Sequence, residues 1–124
     1  MTLRDLFDEF EPLHGTFYDY EEEAMDYAVY GDDIIYPAFG LVSEAGEVAD
    51  KIKKVMRDEE VELPFNLTAD QRRAIAKELG DVLWYVTALA GDLGYALEDI
   101  ATMNIDKLRD RKDRGMIHGS GDER

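Results

Sequence analysis

Glu44 and Glu47 in GLVSEAGEVADKIKK, and Glu78 and Asp81 in KELGDVLWYVTALA, form two acid pairs of one spacing, each set in an otherwise apolar run of helical period. An i,i+3 spacing puts both carboxylates of a pair on one side of a helix. Carboxylates bordering an apolar stripe are costly to strip of water unless a cation or donor compensates them. Four of them on two helices therefore ask for a shared positive partner, most simply a divalent metal. The pattern points to metal-dependent chemistry on an anionic substrate.

Spacing alone is a weak signal in a chain with 29 acidic residues, and Asp5/Asp8, Asp19/Glu22, Glu23/Asp26 and Glu59/Glu62 repeat it in mostly polar surroundings. Context separates the two central pairs. Leu41, Val42, Ala45, Val48, Ala49, Ile52, Val55 and Met56 fill one helical arc, with Glu44 on its border and Glu47 just beyond. Ile75, Leu79, Val82, Leu83, Val86, Leu89, Ala90 and Leu93 fill a second arc, and Glu78, Asp81 and Tyr85 share the stripe beside it. Near the C-terminus Asn104 falls within the arc of Leu97, Ile100, Ala101 and Leu108, with Lys107 and Arg111 following at helical spacing. Amide, ammonium and guanidinium on one line could grip phosphate oxygens. Equally, Asn104 could make a buried interhelix hydrogen bond while the two cations are solvated. Trp84, Tyr85, Phe39, Tyr36 and Tyr27 offer faces for stacking a base, or core packing.

The elements that must position these groups all read as helices. Thr2 caps a short amphipathic segment carrying Leu3, Leu6, Phe7, Phe10 and Leu13 and ending before Gly15. A second helix spans about 18–30 and closes at Gly31-Asp32-Asp33, and Pro37 suits the first turn of a third helix running to about Arg57. The acidic stretch 58–67, holding Pro64, reads as a loop. Thr68 and Gln71 give a capping-box signature for a fourth helix to about Gly94, and a fifth runs from Leu97 to about Arg114 before a Gly-rich tail over 115–124. No strand-period segment or internal repeat is evident. The expected architecture is an all-α bundle of about four core helices plus a short N-terminal helix, with 1–124 as a single domain and 1–15 as an extension. Gly80, Thr87, Gly91 and Gly94 give the fourth helix a small-residue side for close approach by another helix. Together with the wide apolar arcs, this predicts at least a dimer, with that helix at or near the interface.

A chain of 124 residues can bury more than about 60% of its unfolded surface, enough for one core. The net charge of −15 argues against nucleic-acid polymers and anionic membranes as partners. Without cysteine there is no disulfide framework or thiolate site, and His118 has no partner spacing for a metal. A di-iron bundle would need Glu-x-x-His on two helices, and the motif occurs once, from Glu11 to His14. MTLRDLFDEF carries acids where a signal peptide needs a basic then apolar run, and the longest uncharged stretches, 34–43 and 82–91, are too short to span a bilayer. A cytoplasmic location is expected.

GLVSEAGEVADKIKK, KELGDVLWYVTALA, and NIDKLRDRKDRG followed by HGSGD resemble the MazG-like branch of the all-α nucleoside triphosphate pyrophosphohydrolases, a superfamily that includes MazG, HisE and the all-α dCTP and dUTP hydrolases. The resemblance implies hydrolysis of a (deoxy)nucleoside triphosphate to monophosphate and pyrophosphate, in control of nucleotide pools, with Mg²⁺ held by Glu44, Glu47, Glu78 and Asp81. It places Tyr85 against the sugar, aligns Asn104, Lys107 and Arg111 with the family's downstream polar positions, and implies homodimers or homotetramers whose subunits share the active site. Attack is then expected at the α-phosphorus, with Glu44 or Glu47 doubling as base. Two other readings stay open: a pyrophosphohydrolase of a larger nucleotide such as phosphoribosyl-ATP, and a non-catalytic acidic module whose carboxylates spread evenly over one face.

Overall fold

The computed structural model describes residues 15–31, 33–59 and 66–115, and its elements in order are α1 (Phe17–Met25), α2 (Ile35–Glu59), α3 (Ala69–Asp92) and α4 (Leu97–Asp113). Among the described residues there is no strand, as the all-α reading requires. The expected N-terminal helix, His14, Pro64 and the HGSGD tail lie outside them.

Local chemistry sets most helix starts. At α1, Thr16 Oγ1 accepts from the Tyr18 N–H at 3.2 Å while Asp19 Oδ2 accepts from the Thr16 N–H at 2.7 Å, so the helix begins just ahead of the expected residue 18. Asp33 Oδ1 accepts from the Ile35 N–H at 2.8 Å and opens α2, whose first turn holds the fully buried Pro37. At α3 the expected capping box is present, with Gln71 N–H on Thr68 Oγ1 at 3.2 Å and Thr68 N–H on Gln71 Oε1 at 2.8 Å. Gly94, at φ +85°, then turns the chain toward α4.

The start of α4 is completed from a distance. Its N-cap is Ala96, which has no side-chain acceptor, and Glu21 Oε1 of α1 takes the Leu97 N–H instead at 2.9 Å. Asp99 Oδ2 takes the Ala96 N–H at 2.8 Å.

α1 ends at Met25 rather than near residue 30. Its last turn carries acids and no base, the wrong sign for the helix dipole, and the bonds tighten to i→i+3 from Glu23, Ala24 and Met25. The Ala24 carbonyl also accepts from Trp84 Nε1 at 2.9 Å, which fixes the end of α1 against α3.

α2 and α3 form the principal pair, and α1 and α4 pack on α3 and on each other. The pair is antiparallel: Gly40 faces Tyr85, Glu44 stands with Asp81, and Lys51 meets Glu78 farther along. One chain covers only part of the expected apolar arcs. Leu41, Val48, Ile52 and Val55 are half-buried, whereas Val42 is 70% and Leu79 53% exposed. On the small-residue side of α3, Thr87 is fully buried, but a Cβ at Gly80 or Gly91 would meet nothing. Among the described residues of that side, Thr87 is the one that is buried.

Candidate active site

The antiparallel pairing of α2 and α3 brings acids together that are far apart in sequence. Glu44, Glu78 and Asp81 each present an oxygen, and all three lie within 4.8 Å of one another. Glu44 and Glu78 are half-buried and Asp81 is exposed, so the group sits at the edge of the helix interface. At that spacing each like-charge pair repels by roughly 1 kcal/mol in a water-like medium and about 3 kcal/mol at the permittivity usual near a protein surface. The effect shows on Glu44, whose carboxyl is held above the usual carboxylate range, first by loss of water and then by the charges of Asp81, Glu78 and Glu47. Glu47 is exposed and outside the group of three, yet near enough for its charge to act on Glu44.

Hard carboxylate oxygens converging in this way fit a small divalent cation of the Mg²⁺ or Mn²⁺ type, and they do not fit a soft metal that prefers thiolates. A positive charge reaches this group from Lys51, one turn beyond Glu47, whose ammonium lies 3.3 Å from Glu78 Oε1.

Aromatic rings border the carboxylates. A cleft of about 460 Å³ is lined by Tyr27, Glu44, Asp81, Trp84 and Tyr85. A second of about 460 Å³, lined by Asp33, Ile35, Tyr36, Phe39, Gly40, Ser43 and Tyr85, shares the Tyr85 side chain with it. Tyr85 meets Trp84 edge-on at 5.0 Å between centroids, and its hydroxyl hydrogen-bonds that of Tyr36, which pushes the Tyr85 phenol upward. Gly40 makes this position possible, because a Cβ there would fall within the Tyr85 ring. Trp84 has its indole N–H committed to Ala24, leaving its ring as a wall of the cleft. Tyr20, pushed upward chiefly by burial, hydrogen-bonds Thr87 and feels the charge of Asp81.

Asn104, Lys107 and Arg111 all lie on α4 but differ in exposure. Among the described residues α4 touches α1 and α3 but not α2, the helix that carries Glu44 and Glu47. Asn104 and Ala101 are exposed rather than central to a buried arc, Lys107 is half-buried, and Arg111 is only 5% exposed. α1 meets the first turn of α4 through Glu21 with Leu97 and Tyr18 with Glu98.

Sequence reasoning missed Lys51 and Gly40. Lys51 carried a readable signal, since it follows Glu44 and Glu47 at i+7 and i+4 on the same side of α2. Gly40 carried none, because its partner ring belongs to α3.

The family model described as MazG nucleotide pyrophosphohydrolase domain matches residues 38–116, a span that contains both acid pairs and all of α4. A curated relative, the Gene 37 protein of Mycobacterium phage L5, is 43% identical over 113 residues, covering 85% of this chain and 96% of that protein. No solved structure matches.

Proposed function

The chain belongs to the MazG nucleotide pyrophosphohydrolase family, and from that premise we propose that it hydrolyses a (deoxy)nucleoside triphosphate to the monophosphate and pyrophosphate in a Mg²⁺-dependent reaction serving nucleotide pool control. The observation that carries the proposal is the convergence of Glu44, Glu78 and Asp81 oxygens within 4.8 Å. An acidic module for basic partners would gain nothing from concentrating its charge in this way.

In this reading Glu44, Glu78 and Asp81 hold the metal, with Glu47 contributing from its place beside them. When bound, Mg²⁺ or Mn²⁺ neutralises phosphate oxygens and acidifies a water. Glu47 lies outside the group of three and is open to solvent, which suits it to take the proton from the attacking water. The water oxygen bonds to the α-phosphorus and the bond to the bridging oxygen of pyrophosphate breaks. Tyr85, shared by the two clefts, contacts the sugar, and the faces of Trp84, Tyr27 and Tyr36 are available to the base.

Lys107 and Arg111 serve the phosphates in this reading through assembly. Among the described residues α4 stays apart from α2, and a second copy is proposed to present them to the carboxylate site. A homodimer or homotetramer is proposed on the same grounds as the exposed apolar face of α2, where Phe39 is 72% and Val42 70% exposed.

The test is hydrolysis of a panel of canonical and modified nucleoside triphosphates with Mg²⁺, Mn²⁺ or chelator. Monophosphate and pyrophosphate, formed only with metal, are expected. Metal-independent turnover, or no turnover of any member including phosphoribosyl-ATP, would refute the assignment.

A further inference from the structure

Lys51 holds a position that the catalytic reading leaves unexplained. It follows Glu44 and Glu47 at i+7 and i+4, so it shares their side of α2, and its ammonium crosses to α3 to meet Glu78 Oε1 at 3.3 Å. Glu78 thus belongs both to an ion pair and to the group of three carboxylates. Its side chain is 18% exposed whereas that of Lys51 is 42% exposed, so the acid is fixed in the interface and the base stands at its rim.

Two cations cannot share that carboxylate without cost. A divalent ion near Glu78 repels the ammonium, and the lysine, on a flexible stem with its head already in water, can withdraw with little loss. A half-exposed ion pair is also weak, so a metal that gathers three carboxylates outcompetes it. We propose that Lys51 is a displaceable counter-ion of the metal site: it neutralises part of the carboxylate repulsion before metal arrives and competes with the metal for Glu78. This rests on the metal-site reading above. Lys51 is accordingly a positioning residue, setting the affinity of the site and the stability of its empty form.

The experiment is a Mn²⁺ titration of the full chain without nucleotide, with free Mn²⁺ read by electron paramagnetic resonance, on the parent protein and on Lys51→Met, Lys51→Gln and Lys51→Arg. Circular dichroism confirms equal helix content, and the glutamine variant stands in should the methionine variant fold poorly. Lys51→Met and Lys51→Gln should bind Mn²⁺ roughly two- to fivefold tighter, the range for losing one exposed charge pair. Lys51→Arg, which keeps the charge, should stay near the parent value. Without metal, the two neutral variants should melt lower than the parent. Unchanged affinity would make the contact a surface ion pair, and weaker affinity would make Lys51 a support that orients Glu78 for the metal. Either result overturns the proposal. Failure of the parent itself to bind Mn²⁺ would instead remove the metal site on which the proposal depends.

Discussion

Glu44 is under pressure from two directions, since packing withdraws its water while Asp81, Glu78 and Glu47 surround it with like charge. Neutralising it should relieve the empty site and disable the loaded one. Glu44→Gln is expected to raise the melting temperature without metal, shrink the rise that Mg²⁺ produces, and lower turnover by about 10²-fold or more, the scale on which removing one charge-stabilising group acts. A lower melting temperature without metal would show that the carboxylates do not repel as their spacing implies. Gly40 makes a sterically simpler prediction. A methyl group there must move the Tyr85 ring, so Gly40→Ala should cost about 1–3 kcal/mol by denaturant titration and impair substrate binding more than metal binding. Unchanged stability and kinetics would mean that the ring has room to spare.

At the scale of elements, features decided within a few residues were legible and those decided across the fold were not. Thr68 and Gln71 predicted the start of α3 because a capping box is complete within four residues. The acid pairs, too, were legible as pairs. Their closure into one group with Asp81 and Glu78 facing Glu44 required the antiparallel register of α2 on α3, which no local pattern encodes. The end of α1 at Met25 depends partly on Trp84, far along the chain, and packing rather than helical period leaves Asn104 exposed while Arg111 on the same helix is buried. Glu21 is the sharpest instance of such distant control, since it caps a helix that begins at Leu97. Glu21→Ala should destabilise the protein by about 0.5–2 kcal/mol, as loss of a cap does, and speed amide exchange in the first turn of α4. Exchange unchanged at Leu97 would show that the cap is dispensable.

Among the described residues few apolar side chains are fully buried, and large ones stand open along α2 and α3: Ile35, Phe39, Val42, Met56 and Leu79. Among the described residues no helix is long and apolar enough to cross a membrane, so a lipid-spanning role does not account for that surface. We propose that a second copy covers it, which also offers a way to bring the cations of α4 to the carboxylates. Light scattering at micromolar concentration should give at least a dimer, and a fully active monomer would contradict the assembly. The central claim, that water attacks the α-phosphorus of a nucleoside triphosphate at the Glu44, Glu78 and Asp81 site, is tested most directly by hydrolysis in ¹⁸O-water with mass analysis of the products. The account predicts that the label appears in the nucleoside monophosphate and that the pyrophosphate is unlabelled; label in the pyrophosphate, or release of labelled orthophosphate with a nucleoside diphosphate, would contradict it.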